Sequence, residues 1–453
     1  MKPAAVTLLF CLLVLIPETV SSRPPEGYVV RDVTVIPMNQ EQVLPHQTVI
    51  IRDGVIAAIG DTKKTAVPKG YQVVDGRNKF LMPGLFDMHS HFFYEQGENR
   101  NTCAAELKVM LANGLTTARI LNGDPVYLQV RDSVKQGTLE GPELFVASPQ
   151  FVGKWPWPGR VFGAICTTPE EAVAAVRKFK REGYDEIKIT FMVERNVYDA
   201  IIQTAKEEGI KVTGHVGPRV KLPAALAAHQ QIEHMDEFID MLLPDTSYNH
   251  GQSVSDMNLW RKKAWETVEH LDASKIPALV AMVKKADIYV TPTNYFFFSS
   301  FGHSLTEEQF KSRLDYAYIP SVIKEERWEI REHYWKSAPS EKSRLRYVEL
   351  RNRMTFELWK AGVKLMTGSD SPEWFLLPGF ATHDELETFV KAGLTPFAAL
   401  QTATINPATY LGIATRKGTV ETGKAAELLL LDKTPLDAIR TPPSRSGICH
   451  TNP

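Results

Sequence analysis

The sequence predicts an α/β chain: a (β/α)8 barrel joined to a small β-sandwich module built from both chain ends. Three observations lead there. Residues 81–416 alternate short apolar runs with amphipathic stretches, as buried parallel strands and their crossover helices do. Residues 23–80 and 417–453 carry short β-rich runs without helical periodicity. The residues best suited to chemistry fall where those apolar runs end, the face on which a barrel gathers its functional groups.

The first 22 residues stand apart. Lys2 precedes an apolar run from Val6 to Ile16, broken only by Thr7 and Cys11, and a stretch ending Val20-Ser21-Ser22. The run is short for a bilayer span. This pattern predicts a signal peptide cleaved after Ser22, an exported product (secreted or periplasmic) and no stable membrane anchor after cleavage. Cys103, Cys166 and Cys449 then remain, without Cys-x-x-Cys spacing, which argues against a disulfide scaffold.

In the small module, Tyr28-Val29-Val30, Asp32 to Ile36, Thr48 to Ile51 and Val55 to Ile59 read as strands, with Asp53-Gly54 as a hairpin turn. The β signature returns at Gly418-Thr419-Val420 and Glu427 to Leu431. The tail Thr441 to His450 is polar and rich in Pro and Ser, so the module is expected to end one strand short.

Eight apolar runs supply the barrel strands: 81–86, 116–121, 144–147, 186–190, 211–214, 231–233, 288–292 and 364–367. Helix-like segments such as 169–182 and 196–208 separate them. The rival is an open doubly wound sheet, but no Gly-rich phosphate loop follows the first run. Insertions at 236–274 and 294–353 follow the sixth and seventh runs, on the face where barrel sites lie. The formal net charge of the 453 residues is -1, without a basic block, so nucleic acid and anionic membranes are poor partners.

His89 and His91 close the first run, and residues two apart in a strand share a face. Lys188 lies between two isoleucines in the fourth run, where an unpartnered charge is costly. His215, His234 and Asp370 end the fifth, sixth and eighth runs. Taken singly, each could be a satisfied core histidine, an ion pair or a helix cap; together they predict a metal centre.

The segment Met82 to His91, and Glu385-Leu386 with Ala392 to Pro396 and Ala403 to Ala408, resemble the amidohydrolase superfamily in its binuclear form with a carboxylated lysine. Within it the chain looks most like the imidazolonepropionase-like branch with prolidase-type dipeptidases. The resemblance implies two divalent metal ions, most readily zinc, one held by His89 and His91 and the other by His215 and His234, with Lys188 and Asp370 completing the site. Lysine binds a cation only after losing its proton; as a carbon dioxide adduct it becomes a bridging carbamate. Metal-assisted hydrolysis follows, with Asp370 as general base and acid.

Deaminases of the superfamily typically carry one metal and a glutamate shortly after the fifth-strand histidine. Here Val216-Gly217-Pro218-Arg219 follows His215 and Lys188 is present, which favours hydrolysis of a small amide, a dipeptide or an N-acyl amino acid. Lactone, ester or organophosphate hydrolysis at the same centre is the alternative. A non-catalytic scaffold is the remote one, because no ligand is missing. No substrate-binding residue is assigned. Pro292 to Phe298 either walls a pocket or packs in the core, and Arg160, His303 and His383 read as polar loop residues, with contact to substrate (a carboxylate for Arg160) as the alternative. A homo-oligomer is possible.

Overall fold

The computed structural model describes residues 26–93, 100–154, 163–190, 192–244, 268–302, 305–336, 340–437, 439 and 443–449. The expected leader, Arg160, His303 and most of the insertion after the sixth run lie outside these residues. Among the described residues no helix is long and apolar enough to cross a membrane.

Both chain ends meet in one mixed sheet of β1 (Tyr28–Val35), β2 (Leu44–Arg52), β3 (Val55–Asp61), β4 (Gln72–Asp75), β5 (Phe80–Pro83), β16 (Leu428–Leu431) and β17 (Pro443–Cys449), ordered β17-β16-β5-β1-β2-β3 with β4 also on β1. Asp53 (φ 50°) and Gly54 (φ 71°) turn β2 into β3, as the Asp-Gly pair anticipates. A register break at Asp32 (φ 59°) divides β1, whose first half pairs with β4 and whose second half pairs with β5. The small module's strands all belong to one hydrogen-bonded sheet, folded about Val33, Val35, Val49, Ile56, Leu81, Leu428 and Leu430.

The tail corrects one expectation. Residues 443–449 do form a strand, antiparallel to β16. Pro443 is its first residue, where a missing N–H costs a sheet least, and an edge strand has no need of an apolar run.

The remaining strands are parallel. β6 (Leu85–Ser90), β7 (Leu115–Ile120) and β8 (Glu143–Val146) form one sheet. The other is ordered β10-β9-β11-β12-β13-β14-β15: Ala164–Ile165, Phe151–Val152, Glu186–Ile189, Lys211–Gly214, Gln231–Glu233, Tyr289–Thr291 and Lys364–Leu365. Bridges Ala147–Glu186 and Ser90–Ser371 join the two sheets at both seams. Across the second seam the Met88 N–H donates to Thr367 O (2.8 Å) and the Asp370 N–H to His89 O (2.7 Å).

The run 81–86, expected as the first barrel strand, divides at Gly84. Leu81 belongs to β5 in the small sheet, and β6 begins at Leu85. A Cβ at Gly84 would collide with Thr116 of β7, so the crossing between sheets requires glycine. Helix Pro169–Glu182 forms where its signals stand: Thr168 and Glu171 make a capping box, Pro169 takes the first turn, and Gly183 (φ 88°) ends it.

Candidate metal centre

Strands β6, β7 and β11 are buried along their whole length, so the charged side chains they carry are held away from solvent. Lys188 is 1% exposed, His89 1%, His234 4% and Asp370 6%. The chain turns sharply just where these groups stand. His234 (φ 72°) and Asp370 (φ 54°) both take left-handed backbone, a strain that proteins keep chiefly at functional sites.

Asp370 is the hub. Its Oδ1 lies 3.2 Å from His89 Nε2 and 3.2 Å from His91 Nε2, and its Oδ2 is 3.7 Å from His234 Nδ1. Ligand atoms of His89, His234 and Asp370 all fall within 4.8 Å of one another. His215 is half-buried and stacks on His234 at 4.2 Å between ring centroids. His91 and His215 therefore adjoin that close group of three without being in it. Lys188 sits on β11 with its Nζ buried and without a hydrogen-bond partner.

Electrostatics sets the protonation states. Burial, with His215 and His89 nearby, holds His234 well below the ordinary 6.5. Burial works to raise Asp370, but the adjacent imidazoles override it and keep the carboxyl well below its usual range. Burial pulls Lys188 down from 10.5 to about 8, against the attraction of Glu233 and Asp370.

This donor set fits a divalent cation. Two ligand atoms about 2.1 Å from a tetrahedral ion lie about 3.4 Å apart, close to the Asp370–histidine separations. A neutral imidazole and an ionised carboxylate are the forms that bind, and Lys188 Nζ lacks any partner of its own.

A second layer escaped the sequence reading. Glu233 Oε2 lies 2.8 Å from His89 Nδ1, which leaves Nε2 for a ligand role. Arg119 donates to Glu233 Oε1 (2.6 Å) and Glu186 Oε2 (3.1 Å), and Thr213 Oγ1 also donates to Glu233 Oε1 (2.6 Å). Burial opposes the Glu233 charge, but Arg119 and His89 hold its carboxyl well below the usual range. Asp87 accepts the backbone N–H of His89 (3.1 Å) and of Ser369 (3.1 Å), tying β6 to the segment after β15 that carries Asp370. Arg119 does carry the signal that singled out Lys188: it is a charge between Ala118 and Ile120 in a buried strand.

Two other expectations resolve. His383 lies on helix Phe380–Ala392, not on a loop, and its Nε2 is 2.8 Å from Asn113 O. Phe297 packs in the main core.

Comparison with known proteins places this geometry. Over 92% of this chain and 91% of the other, the fold superposes on a protein assigned as a prolidase from Bifidobacterium longum (TM-score 0.67, 23% identity). It also superposes on a Xaa-Pro dipeptidase with bound methionine in its active site (TM-score 0.66, 20% identity, 91% and 95% of the chains). At such identities the likeness concerns the fold. Imidazolonepropionase of Clostridium tetani is 37% identical over 60 residues, 13% of this chain and 14% of that one. The curated relatives are matched over only 12% to 16% of their own lengths. The profile of the amidohydrolase family matches residues 80–446, and the chain belongs to that family of metal-dependent hydrolases.

Proposed function

We propose that the protein is an exported hydrolase of carbon–nitrogen amide bonds, acting on dipeptides or N-acyl amino acids. Two divalent ions, most readily zinc, would be held by His89, His91, His215, His234, Asp370 and a carbamate on Lys188. The observation that carries the reading is the buried convergence of three histidines on Asp370 beside an unpartnered Lys188 Nζ. The family match and the fold's likeness to dipeptidases support the bond class. The two seams support reading the parallel sheets as one closed (β/α)8 barrel. The leader pattern supports export.

Bound divalent ions supply an acidified water and a polarised carbonyl. The chain's own residues do the rest. Glu233 holds His89 by Nδ1. Burial makes the Lys188 amine lose its proton more readily than a free lysine, and the neutral fraction adds carbon dioxide: an N–C bond forms and one proton is released to solvent. Asp370 is ionised, and its Oδ2, the less engaged oxygen, takes a proton from the nucleophile and returns it to the leaving amine.

The test starts with bound metal per chain after supply of zinc and bicarbonate, followed by a panel of dipeptides, N-acyl amino acids and matched esters and lactones. About two metals with amide turnover is the expected result. A chain that binds no metal overturns the catalytic reading; turnover of esters alone overturns the bond class.

A further inference from the structure

Strand β14 ends at Thr291, and after Pro292 and Thr293 the chain enters the short helix Asn294–Phe297. Thr293 has φ 50°, a region that β-branched residues avoid. A threonine at this position ordinarily turns its hydroxyl back to cap its own helix. Here the side chain makes no such bond, and Oγ1 lies 2.9 Å from His234 Nδ1 instead.

The helix start is satisfied from elsewhere. Glu385, fully buried on helix Phe380–Ala392, accepts the backbone N–H of Asn294 (2.9 Å) and of Tyr295 (2.6 Å). Arg351, 1% exposed on helix Glu341–Lys360, donates through Nη2 to Pro292 O (2.8 Å) and to the carbonyl of His234 itself. Its guanidinium carbon lies 3.4 Å from the centroid of the Phe297 ring. Asn294 Nδ2 also donates to Thr355 Oγ1 (2.8 Å), one helical turn from Arg351.

We infer that Glu385 and Arg351 are positioning residues for the metal centre: from two distant helices they clamp the Pro292–Tyr295 corner, which frees the Thr293 hydroxyl to fix the ring of His234. The inference rests on the reading of His234 as a metal ligand. Nδ1, which lies 3.7 Å from Asp370 Oδ2 but only 2.9 Å from Thr293 Oγ1, is taken by the threonine, and Nε2 is the ring nitrogen left for the ion. A helix that capped itself would take that hydroxyl away, so the borrowed carboxylate is what allows one threonine to serve the histidine. Arg351 acts on the same residue through its main chain.

The experiment uses the full-length enzyme loaded with cobalt(II) and bicarbonate. It reads cobalt affinity, the visible cobalt absorption and thermal unfolding. Glu385→Gln keeps one acceptor oxygen and should weaken one of the two cobalt ions roughly 10- to 100-fold, with a changed visible spectrum. Thr293→Val, which removes only the hydroxyl, should do the same, and Thr293→Ser should restore binding. Because both singles break one path, the double variant should bind no more weakly than the worse single. Wild-type affinity and spectrum in Thr293→Val overturn the inference, even if Glu385→Gln does not fold. Losses that simply add in the double variant also overturn it, since Glu385 would then act only on packing. Failure of the underlying reading looks different: the wild type binds no cobalt, or His234→Asn keeps both ions.

Discussion

Lys188 and Lys417 are almost equally buried, at 1% and 3% exposed, yet they stand in opposite surroundings. Lys417 lies where the small sheet meets the parallel strands, 2.5 Å from Glu143 at the start of β8 and 2.5 Å from Glu427 just before β16. Its charge is matched twice over and serves as a fastener. Lys188 lies in β11 among the metal-centre residues, and among the described residues its Nζ makes neither an ion pair nor a hydrogen bond. A buried cation in that position is costly. The contrast teaches how to read buried charge: a paired group holds the fold together, whereas an isolated one beside convergent histidines marks chemistry.

The largest effect should come from the chemical region. Asp370→Asn should lower turnover roughly 10²- to 10⁴-fold while bound metal stays near the wild-type level. Full activity in that variant would remove Asp370 from the proton-transfer role.

The two lysines should next separate by pH in metal-free protein. Lys188 is held at about 8 in the fold against 10.5 for the free side chain. Between those values the unfolded chain binds more protons, so stability rises with pH; below about 8 that gain is absent. It amounts to about 3 kcal/mol by pH 10.5. Unfolding followed from pH 7 to 10.5 should show this rise in the wild type and in Lys417→Met, and not in Lys188→Met. Equal profiles for all three would dissolve the contrast.

Lys417→Met should cost stability without touching the metal. It strands Glu427 and leaves Glu143 with Arg416 alone, and the loss should be roughly 2 kcal/mol, below the figure for a fully buried pair because Glu143 is one-third exposed. Metal content and turnover should remain at wild-type values, whereas Lys188→Ala should lose one or both metals. The smallest effect belongs to the edge of the small sheet. Deleting residues 443–453 should speed amide exchange at Leu428–Leu431 and leave metal content unchanged; slow exchange there would show that β17 adds no protection.

The six candidate ligands could be read in the sequence because each is a local anomaly: His89, His91, Lys188, His215, His234 and Asp370 interrupt or end runs that otherwise avoid polar groups. Their supports could not be read that way. Glu233 is visible beside His234, but the group it holds is His89, 144 residues earlier. Glu385 and Arg351 reach the Pro292–Tyr295 corner from different helices, and no spacing rule connects them. The division of residues 81–86 was hidden because both sheets want apolar residues there; Gly84, which cannot be replaced without a clash, was its one local sign. The last strand was missed because a sheet edge tolerates the polar, Pro-headed composition that ordinarily marks a loop.

Strand β5 lies between β1 and β16, so it takes one neighbour made before it and one made long after it. During synthesis, more than 340 residues pass before that neighbour exists. Until then Leu81 and Met82 border an open edge, immediately upstream of the strand that carries His89. A chain interrupted before Leu428 keeps that edge, a ready template for pairing with another unfinished chain. The small sheet is thus sealed only after every candidate ligand, from His89 to Asp370, has been made.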